Sequence, residues 1–387
     1  MRFLISAGEA SGDMYAAGVV SHLKARYPAG EFYGCAGPRL RAEGVTPVID
    51  SARLAVVGLA EVVIHLPRIY GEYRKLIHFA ERHRPRAALL TDSPDFHLRV
   101  ARHLKRMDVP VFYLVAPQVW AWRQGRVKTI AQLVDKLFCL FPFEENWFRE
   151  RGVDATYIGH PLASTVRIQS SRDDFFARHD LSKDKRMLVL LPGSRSGEAR
   201  RHLPILLQTV AELRRNFSLS IALAIPKGFY SRASLANFRE PMDALSIKVI
   251  ENETWDAIGH ADVALAASGT VTVEAAILGT PMVTFYKVTP LTWWAGRRLV
   301  KVPYLSMVNL IAEREIIPEL IQHDMTPQRL AASVSELLKN EKRRWQMKDD
   351  LSALRKVLKS EGDPFLRAAN VITGSLEEQR QAQETLT

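Results

Sequence analysis

Short, wholly apolar runs recur along this chain at strand length, with helical patterns between them, and no other feature limits its possible folds as much. Phe3-Leu4-Ile5-Ser6-Ala7, Phe32-Tyr33-Gly34-Cys35, Ala88-Leu89-Leu90-Thr91, Val111-Phe112-Tyr113-Leu114-Val115 and Leu137-Phe138-Cys139-Leu140 read as buried strands. Between the first two, Val19, Val20 and Leu23 recur at helical spacing. Strands apolar on both faces need cover on both faces, so the pattern predicts a parallel sheet flanked by helices. The pattern then restarts at Met187-Leu188-Val189-Leu190-Leu191. It continues through Ile221-Ala222-Leu223-Ala224-Ile225, Ile247-Lys248-Val249-Ile250, Val263-Ala264-Leu265-Ala266 and Met282-Val283-Thr284-Phe285.

A chain of 387 residues is also longer than one core serves comfortably. The expected fold class is therefore α/β, with two doubly wound Rossmann-like domains facing a central cleft. Their expected bounds are 1–165 and 180–345, with the polar stretch 167–186 as the linker region. A helix over 363–375 is expected to pack back on the first domain, and the polar tail from Glu377 is expected to fray. In such sheets ligands bind beyond the carboxyl ends of the strands, so functional residues are expected in the segments that follow strands.

Composition narrows the function classes. Hydrophobic residues at 47% and charged residues at 25% exclude a largely disordered or fibrous chain. Lys and Arg number 53 against 42 Asp and Glu, a net charge of +11 that favours nucleic acid, phosphate-bearing ligands or an anionic membrane without choosing among them. The only cysteines, Cys35 and Cys139, lie in apolar runs and offer neither a disulfide framework nor zinc-site spacing, as in a reducing compartment. Only five apolar or small residues separate Met1-Arg2 from Gly8-Glu9, which does not read as a signal peptide. No run approaches the roughly 18 apolar residues of a spanning helix. A cytoplasmic protein, or one lying on a membrane surface, is the expectation.

Four strand-end segments have the residues for chemistry. Ala7-Gly8-Glu9-Ala10-Ser11-Gly12-Asp13 follows the first strand; its small residues let a ligand approach, and Ser11 or Asp13 can cap the next helix. It is not GxGxxG, which leaves a dinucleotide cofactor weakly supported, and a plain strand-to-helix turn reads equally well. Thr91-Asp92-Ser93-Pro94-Asp95-Phe96 ends another strand, with carboxylates suited to a general base and an anchor, or simply a turn. Leu191-Pro192-Gly193-Ser194-Arg195-Ser196-Gly197-Glu198 opens the second half; Arg195 presents a fixed fork for phosphate oxygens, and no P-loop Lys-Ser/Thr follows.

The fourth segment is Ser268-Gly269-Thr270, leading into a helix expected to start near Thr272. Its hydroxyls, its uncovered glycine N–H and the helix start suit a diphosphate. Glu274, placed in the first turn, suits the two hydroxyls of a ribose, or else merely complements the helix dipole. His160, beside Gly159 and Pro161, is a weaker candidate with an ordinary structural alternative. Asn309 reads by itself as a satisfied turn amide in an apolar stretch.

Taken together, these stretches resemble the lipid-A-disaccharide synthase family, bacterial glycosyltransferases with two Rossmann-like domains (the GT-B type). The likeness runs from about residue 1 to 340. Besides the segments above it includes Ala36-Gly37-Pro38-Arg39, Pro117-Gln118-Val119-Trp120-Ala121-Trp122-Arg123 and Asn309-Leu310. Trp120-Ala121-Trp122-Arg123 together with the opening motif is its most specific part.

The resemblance implies transfer of the sugar of UDP-2,3-diacylglucosamine to 2,3-diacylglucosamine 1-phosphate. The products are the β-1,6 disaccharide precursor of lipid A and UDP, with inversion at the anomeric centre and no metal or cofactor. It implies Asp92 as general base and Arg195 as a residue needed for activity. It implies Ser268, Gly269 and Thr270 at the diphosphate and Glu274 at the ribose. It also places Glu9, Ser11 and Asp13 in the acceptor-side loop and makes Asn309 a further activity-linked, substrate-binding position. The chain has Ser93 where some members carry a smaller Ala, and Gln118 where others carry Ser. Neither departure touches the implied base.

Acylated substrates require access to a bilayer, so peripheral association with an anionic inner membrane is expected. Along 66–86, Ile69, Tyr73, Leu76, Ile77 and Ala80 share a face flanked by Arg68, Arg74, Lys75, Arg82, Arg84 and Arg86. In 290–304, Trp293 and Trp294 adjoin Arg297, Arg298 and Lys301. Interfacial helices have this character, as does a core-facing helix with a solvated basic rim. Relatives of this kind can exchange C-terminal segments between subunits, so a homodimer is among the expected states. Two rivals are a UDP-sugar 2-epimerase on the same frame and a nucleic-acid-binding protein. The second rests on charge alone, and the strand-end motifs speak against it.

Overall fold

The computed structural model describes residues 1–54, 59–226, 237–296 and 299–385. The chain divides into two compact units, Met1–Pro161 with Leu358–Thr387, and Leu162–Val357.

Among the described residues the first unit holds seven strands: β1 (Arg2–Ala7), β2 (Glu31–Ala36), β3 (Thr46–Asp50), β4 (Ala87–Thr91), β5 (Val111–Leu114), β6 (Lys136–Cys139) and β7 (Ala155–Tyr157). They form one sheet in the order β3-β2-β1-β4-β5-β6-β7, parallel throughout. The second unit holds β8 (Arg186–Leu191), β9 (Leu219–Ile225), β10 (Ile247–Glu251), β11 (Val263–Ala267), β12 (Met282–Tyr286) and β13 (Glu319–Ile321). Its parallel order is β10-β9-β8-β11-β12-β13. The apolar runs dictate this outcome. Every residue of β4, β5, β9 and β11 is buried, which only a sheet covered on both faces allows.

Three strands escape a reading by apolar runs, and all are edges. The first two residues of β3 are exposed and the second is Pro47, whose missing N–H is tolerable where one side has no partner. β7 and β13 have three residues each. The polar stretch 167–186 is not a free linker either. It contains the helix Arg172–Arg178, whose Phe175 and Phe176 are fully buried, and the Asp256 carboxylate accepts from the amides of Gln169 and Ser170.

The last helix, Pro364–Thr385, lies along the first, Ala10–Arg26, and continues past Glu377, where fraying is expected. Phe365 sits so close to Gly18 that a Cβ there would come within 2.5 Å of its ring. Arg26 reaches Glu377 at 3.0 Å, and His22 reaches Asp363 at 2.8 Å. Among the described residues no helix is long and apolar enough to cross a membrane.

Strand order positions the loops. From β1 the chain winds outward through β2 and β3, then returns to β4 on the other side; β8 and β11 are related in the same way. Each sheet therefore has a switch point where neighbouring loops part and leave a crevice at the carboxyl ends. The loop after β1 meets the loop after β4 in one unit, and the loops after β8 and β11 are neighbours in the other.

Candidate active site

In the first unit the crevice is organised around Asp92, which directly follows β4. Its backbone and that of Ser93 are left-handed, with φ of 56° and 38°. Non-glycine residues pay on the order of 1–3 kcal/mol each for such a conformation, so surrounding contacts must hold it. The turn brings the carboxylate against the loop after β1. The amide of Gly8 donates to Oδ1 at 2.9 Å and that of Glu9 to Oδ2 at 3.0 Å.

The approach is close enough to demand glycine twice. A Cβ on Gly12 would lie 1.8 Å from Asp92 Oδ2, and one on Gly8 would lie 2.8 Å from Oδ1 and 2.4 Å from Ser93 Oγ. Burial pushes the Asp92 carboxyl up to about 7, with Glu9 adding repulsion, while Ser93 and the two amides pull it back. A carboxylate titrating near neutrality inside a crevice is suited to taking a proton.

The rest of the opening motif divides into two parts. Glu9 and Ser11 are exposed at the mouth of the crevice. Asp13 is not. It is 1% exposed, and its carboxylate accepts from the amides of Gly37 at 2.7 Å, Arg39 at 2.8 Å and Leu40 at 3.3 Å. This corrects two expectations. The first helix starts at Ala10 with Glu9 as its N-cap, so neither Ser11 nor Asp13 caps it; Asp13 instead secures the start of the helix Pro38–Ala42. Nor does Asp13 face a substrate, because backbone donors occupy its carboxylate.

Trp120 and Trp122 have different surroundings. Trp120 is buried and donates its indole N–H to Glu144 at 3.1 Å. Glu144 also accepts from the Leu140 and Phe141 amides at the start of the helix Pro142–Arg149, and burial pushes its pKa up to about 7. Trp122 is exposed, with the Arg123 guanidinium 4.4 Å from its ring centroid. Nearby, a cavity of about 820 Å³ lies between the helices Leu59–His83 and Pro94–Lys105. Ile69, Tyr73 and Phe96 are among its apolar walls, and Arg99, Arg102 and Arg106 are among its charged ones.

The helix Leu59–His83 changes character along its length. Leu76, Ile77 and Ala80 are core residues, whereas Leu66 and Tyr70 are exposed. The shared face read from the sequence is thus core-facing in its second half, and among the described side chains the exposed large apolar ones, Leu66 and Tyr70, lie in the first. In the other basic-aromatic stretch Trp294 is exposed, and Arg297 and Arg298 lie outside the described residues.

The crevice of the second unit has a different construction. Arg195 is the N-cap of the helix Ser196–Arg214, with its side chain 55% exposed and Nη1 3.3 Å from Glu198. Glu198 also accepts from the Tyr286 hydroxyl at 2.9 Å. Behind the loop, buried His202 donates from Nδ1 to the Pro192 carbonyl at 2.8 Å, and its Nε2 accepts from the Lys287 amide at 3.2 Å. Burial lowers its pKa, which keeps the ring neutral as this pairing requires.

After β11, the helix starts at Thr270 rather than near Thr272, with Gly269 as N-cap. Glu274 therefore falls in the second turn, half-buried, with its pKa raised by burial and its carboxylate hydrogen-bonded to Trp255. Ser268 donates to the Leu305 carbonyl at 3.3 Å, while Gly269 and Thr270 are exposed. A Cβ on Gly269 would meet no atom within 4 Å.

Asn309 requires a correction. It is wholly buried; its amide donates to the Ile317 carbonyl at 2.9 Å and to Glu319 at 2.8 Å, and its oxygen accepts from Ile316 at 2.9 Å and Ile317 at 3.0 Å. With both donors and both lone pairs used, it cannot bind a substrate. It braces Glu319, which holds the amides of Leu305 and Ser306, and Leu305 in turn receives Ser268. His160 is likewise buried, packed between Tyr15 and Phe141, with its pKa pushed down to about 4 by burial.

No motif in the sequence marks His97, Glu144, His202 or Tyr286: each lies on an element between motifs, the first three buried and Tyr286 half-buried. Glu198 lies inside a motif, but only the folded loop reveals its link to Arg195.

Two parallel-sheet α/β domains with strand-end crevices define a class that includes nucleotide-sugar glycosyltransferases and epimerases. Solved structures of that class share the fold. UDP-GlcNAc 2-epimerase from Neisseria meningitidis, bound to UDP-GlcNAc, has a TM-score of 0.61 at 14% identity, covering 98% of this chain and 100% of its own. The kitacinnamycin glycosyltransferase has a TM-score of 0.61 at 16% identity, covering 96% and 98%. The family model described as lipid-A-disaccharide synthetase matches residues 3–365. The lipid-A-disaccharide synthase of Solibacter usitatus is 53% identical over 378 residues, 98% of each chain, and that of Koribacter versatilis is 42% identical over 363 residues, 93% of this chain and 94% of the relative. The chain belongs to the lipid-A-disaccharide synthase family and is a glycosyltransferase.

Proposed function

We propose that the chain transfers 2,3-diacylglucosamine from UDP-2,3-diacylglucosamine to the 6-hydroxyl of 2,3-diacylglucosamine 1-phosphate. The anomeric centre inverts, and the products are the β-1,6 disaccharide 1-phosphate and UDP. The first unit supplies the acceptor side and the second the donor side. As the acceptor oxygen bonds to the anomeric carbon, its proton passes to Asp92, and the bond to UDP breaks with its electron pair on the diphosphate. Arg195 and the amides opening the Thr270–Leu278 helix meet that charge. Glu274 takes the ribose hydroxyls, and Glu9 and Ser11 line the acceptor loop. The observation that carries the assignment is Asp92 itself: a carboxylate at a switch point, held by two backbone amides and raised by burial to about 7.

The lipids are reached from the cytoplasmic face of the inner membrane, with peripheral contact. The cavity between Leu59–His83 and Pro94–Lys105 supports this reading, because apolar walls edged with arginines suit acyl chains beneath an anionic headgroup.

An assay with UDP-2,3-diacylglucosamine, with and without the acceptor, tests the reaction. Disaccharide and UDP are expected only with both substrates; an epimer formed without acceptor would overturn the reading. Asp92→Ala is expected to lower kcat by about 10²–10⁴. Because the base must be unprotonated and its pKa is raised, kcat/KM of the wild type should fall as pH drops through about 7. Full activity of Asp92→Ala would refute the assigned base.

A further inference from the structure

The carboxylate of Asp92 faces the crevice, but its carbonyl points the other way, into the core, and two buried side chains meet it there. His97, on the helix Pro94–Lys105, lies with Nδ1 2.9 Å from the Asp92 carbonyl oxygen. Tyr113, on β5, donates its hydroxyl to the same oxygen. Both residues are 0% exposed.

A carbonyl only accepts, so the His97 proton is on Nδ1, and Nε2 is left to accept from the Ser6 hydroxyl at 2.8 Å. Ser6 is itself buried, on β1, the strand that leads into the Gly8-Glu9 loop. Burial pushes the His97 pKa down to about 4, so the ring is neutral near pH 7. Its Nδ1 lies 4.0 Å from Asp92 Oδ1, and a neutral ring makes no ion pair at that distance. Thus β1, β5 and the helix after β4 each contribute one group to a network behind a single strained peptide.

The need for it is clear from the backbone. Two successive left-handed non-glycine residues relax unless something holds them, and relaxation would swing the carboxylate off the Gly8 and Glu9 amides. The Ser93 carbonyl accepts from the Phe96 and His97 amides at 2.9 and 3.0 Å, which ties the turn to the helix, and the Asp92 carbonyl ties it to the core. We propose that His97 and Tyr113 are positioning residues: their hydrogen bonds to the Asp92 carbonyl fix the left-handed turn that aims the carboxylate into the crevice. Neither touches a substrate in this scheme. The inference rests on Asp92 being the base.

The test compares full-length Asp92→Ala, His97→Ala, His97→Asn and Tyr113→Phe with the wild type for kcat, donor KM and the pH dependence of kcat/KM. A catalytic group displaced by about 1 Å can cost roughly 10²-fold. His97→Ala is expected to lower kcat about 10–100-fold, with donor KM changed less than about twofold because the donor loops lie in the other unit. Its acid limb should move to lower pH, since water admitted behind the turn relieves the burial that raises Asp92. Glu9, Cys35 and Tyr113 also lie within electrostatic reach of that carboxylate, and His97→Ala leaves all three in place.

His97→Asn, which keeps a donor near the Nδ1 position, should recover most of kcat. Tyr113→Phe removes only an O–H, so it should fold normally and lose a smaller factor in kcat with the same limb shift. In the Asp92→Ala background His97→Ala should cause no further loss. An inactive Asp92→Ala beside His97→Ala and Tyr113→Phe enzymes with wild-type kcat and an unmoved acid limb would overturn this inference alone. Wild-type kcat in Asp92→Ala would overturn the base assignment, and this inference with it.

Discussion

The two switch-point crevices share a topology and differ in chemistry. In the first, the proposed base is largely but not wholly buried, and the chain crowds it so tightly that Gly8 and Gly12 have no room for a Cβ. In the second, Arg195 is exposed, and Gly269 has open space where a Cβ would go. Proton transfer near neutrality needs a carboxylate partly stripped of water, and only protein can supply that environment in advance. Binding a diphosphate needs the reverse, accessible donors and a bare helix start. The contrast shows that a glycine can answer to the chain itself or to something that arrives later.

Gly12→Ala probes the crowded side and should have the largest effect. Its Cβ would be 1.8 Å from Asp92 Oδ2, so the carboxylate must move, and kcat should fall by roughly 10² or more. A crystal structure of the variant with Asp92 in place would break the comparison. On the open side, Arg195→Ala removes a charge-assisted contact valued at about 1.5–3 kcal/mol, and a loss of roughly 10–100-fold in kcat/KM is expected. Steady-state kinetics with the nucleotide donor would show it.

Gly269→Ala then separates the two kinds of glycine. Since nothing lies within 4 Å of the added methyl, its urea midpoint should stay close to wild type. The donor KM should rise about fivefold to tenfold, equivalent to about 1–1.4 kcal/mol. Loss of stability without a change in KM would place the requirement in the chain after all.

The smallest effect is expected at the membrane surface. Among the described side chains of their helix, Leu66 and Tyr70 are the exposed large apolar ones, whereas Leu76 is fully buried. Leu66→Glu with Tyr70→Glu should weaken flotation with anionic liposomes while leaving thermal stability nearly unchanged; Leu76→Glu should unfold the unit instead. Undiminished flotation of the double variant would move the contact elsewhere.

The sequence by itself determined the architecture of both sheets, because continuous apolar strands have only one way to hide two faces. It placed Asp92, Arg195 and Ser268-Gly269-Thr270 at strand ends, where this fold keeps its ligands, and the motifs carried the family. Edge strands such as Thr46–Asp50 remained out of reach, since half-buried segments have no distinctive pattern. Tertiary structure alone decided which polar residues face outward. Asp13 and Asn309 stand in motifs beside the proposed site residues, yet their side chains are consumed by partners up to 27 and 10 residues away. His97 and Tyr113 carry no motif at all and meet at one carbonyl. A sequence fixes which residues a strand end can present. Whether a given carboxylate or amide faces a substrate or braces a loop depends on hydrogen-bond partners that only the folded chain brings within reach.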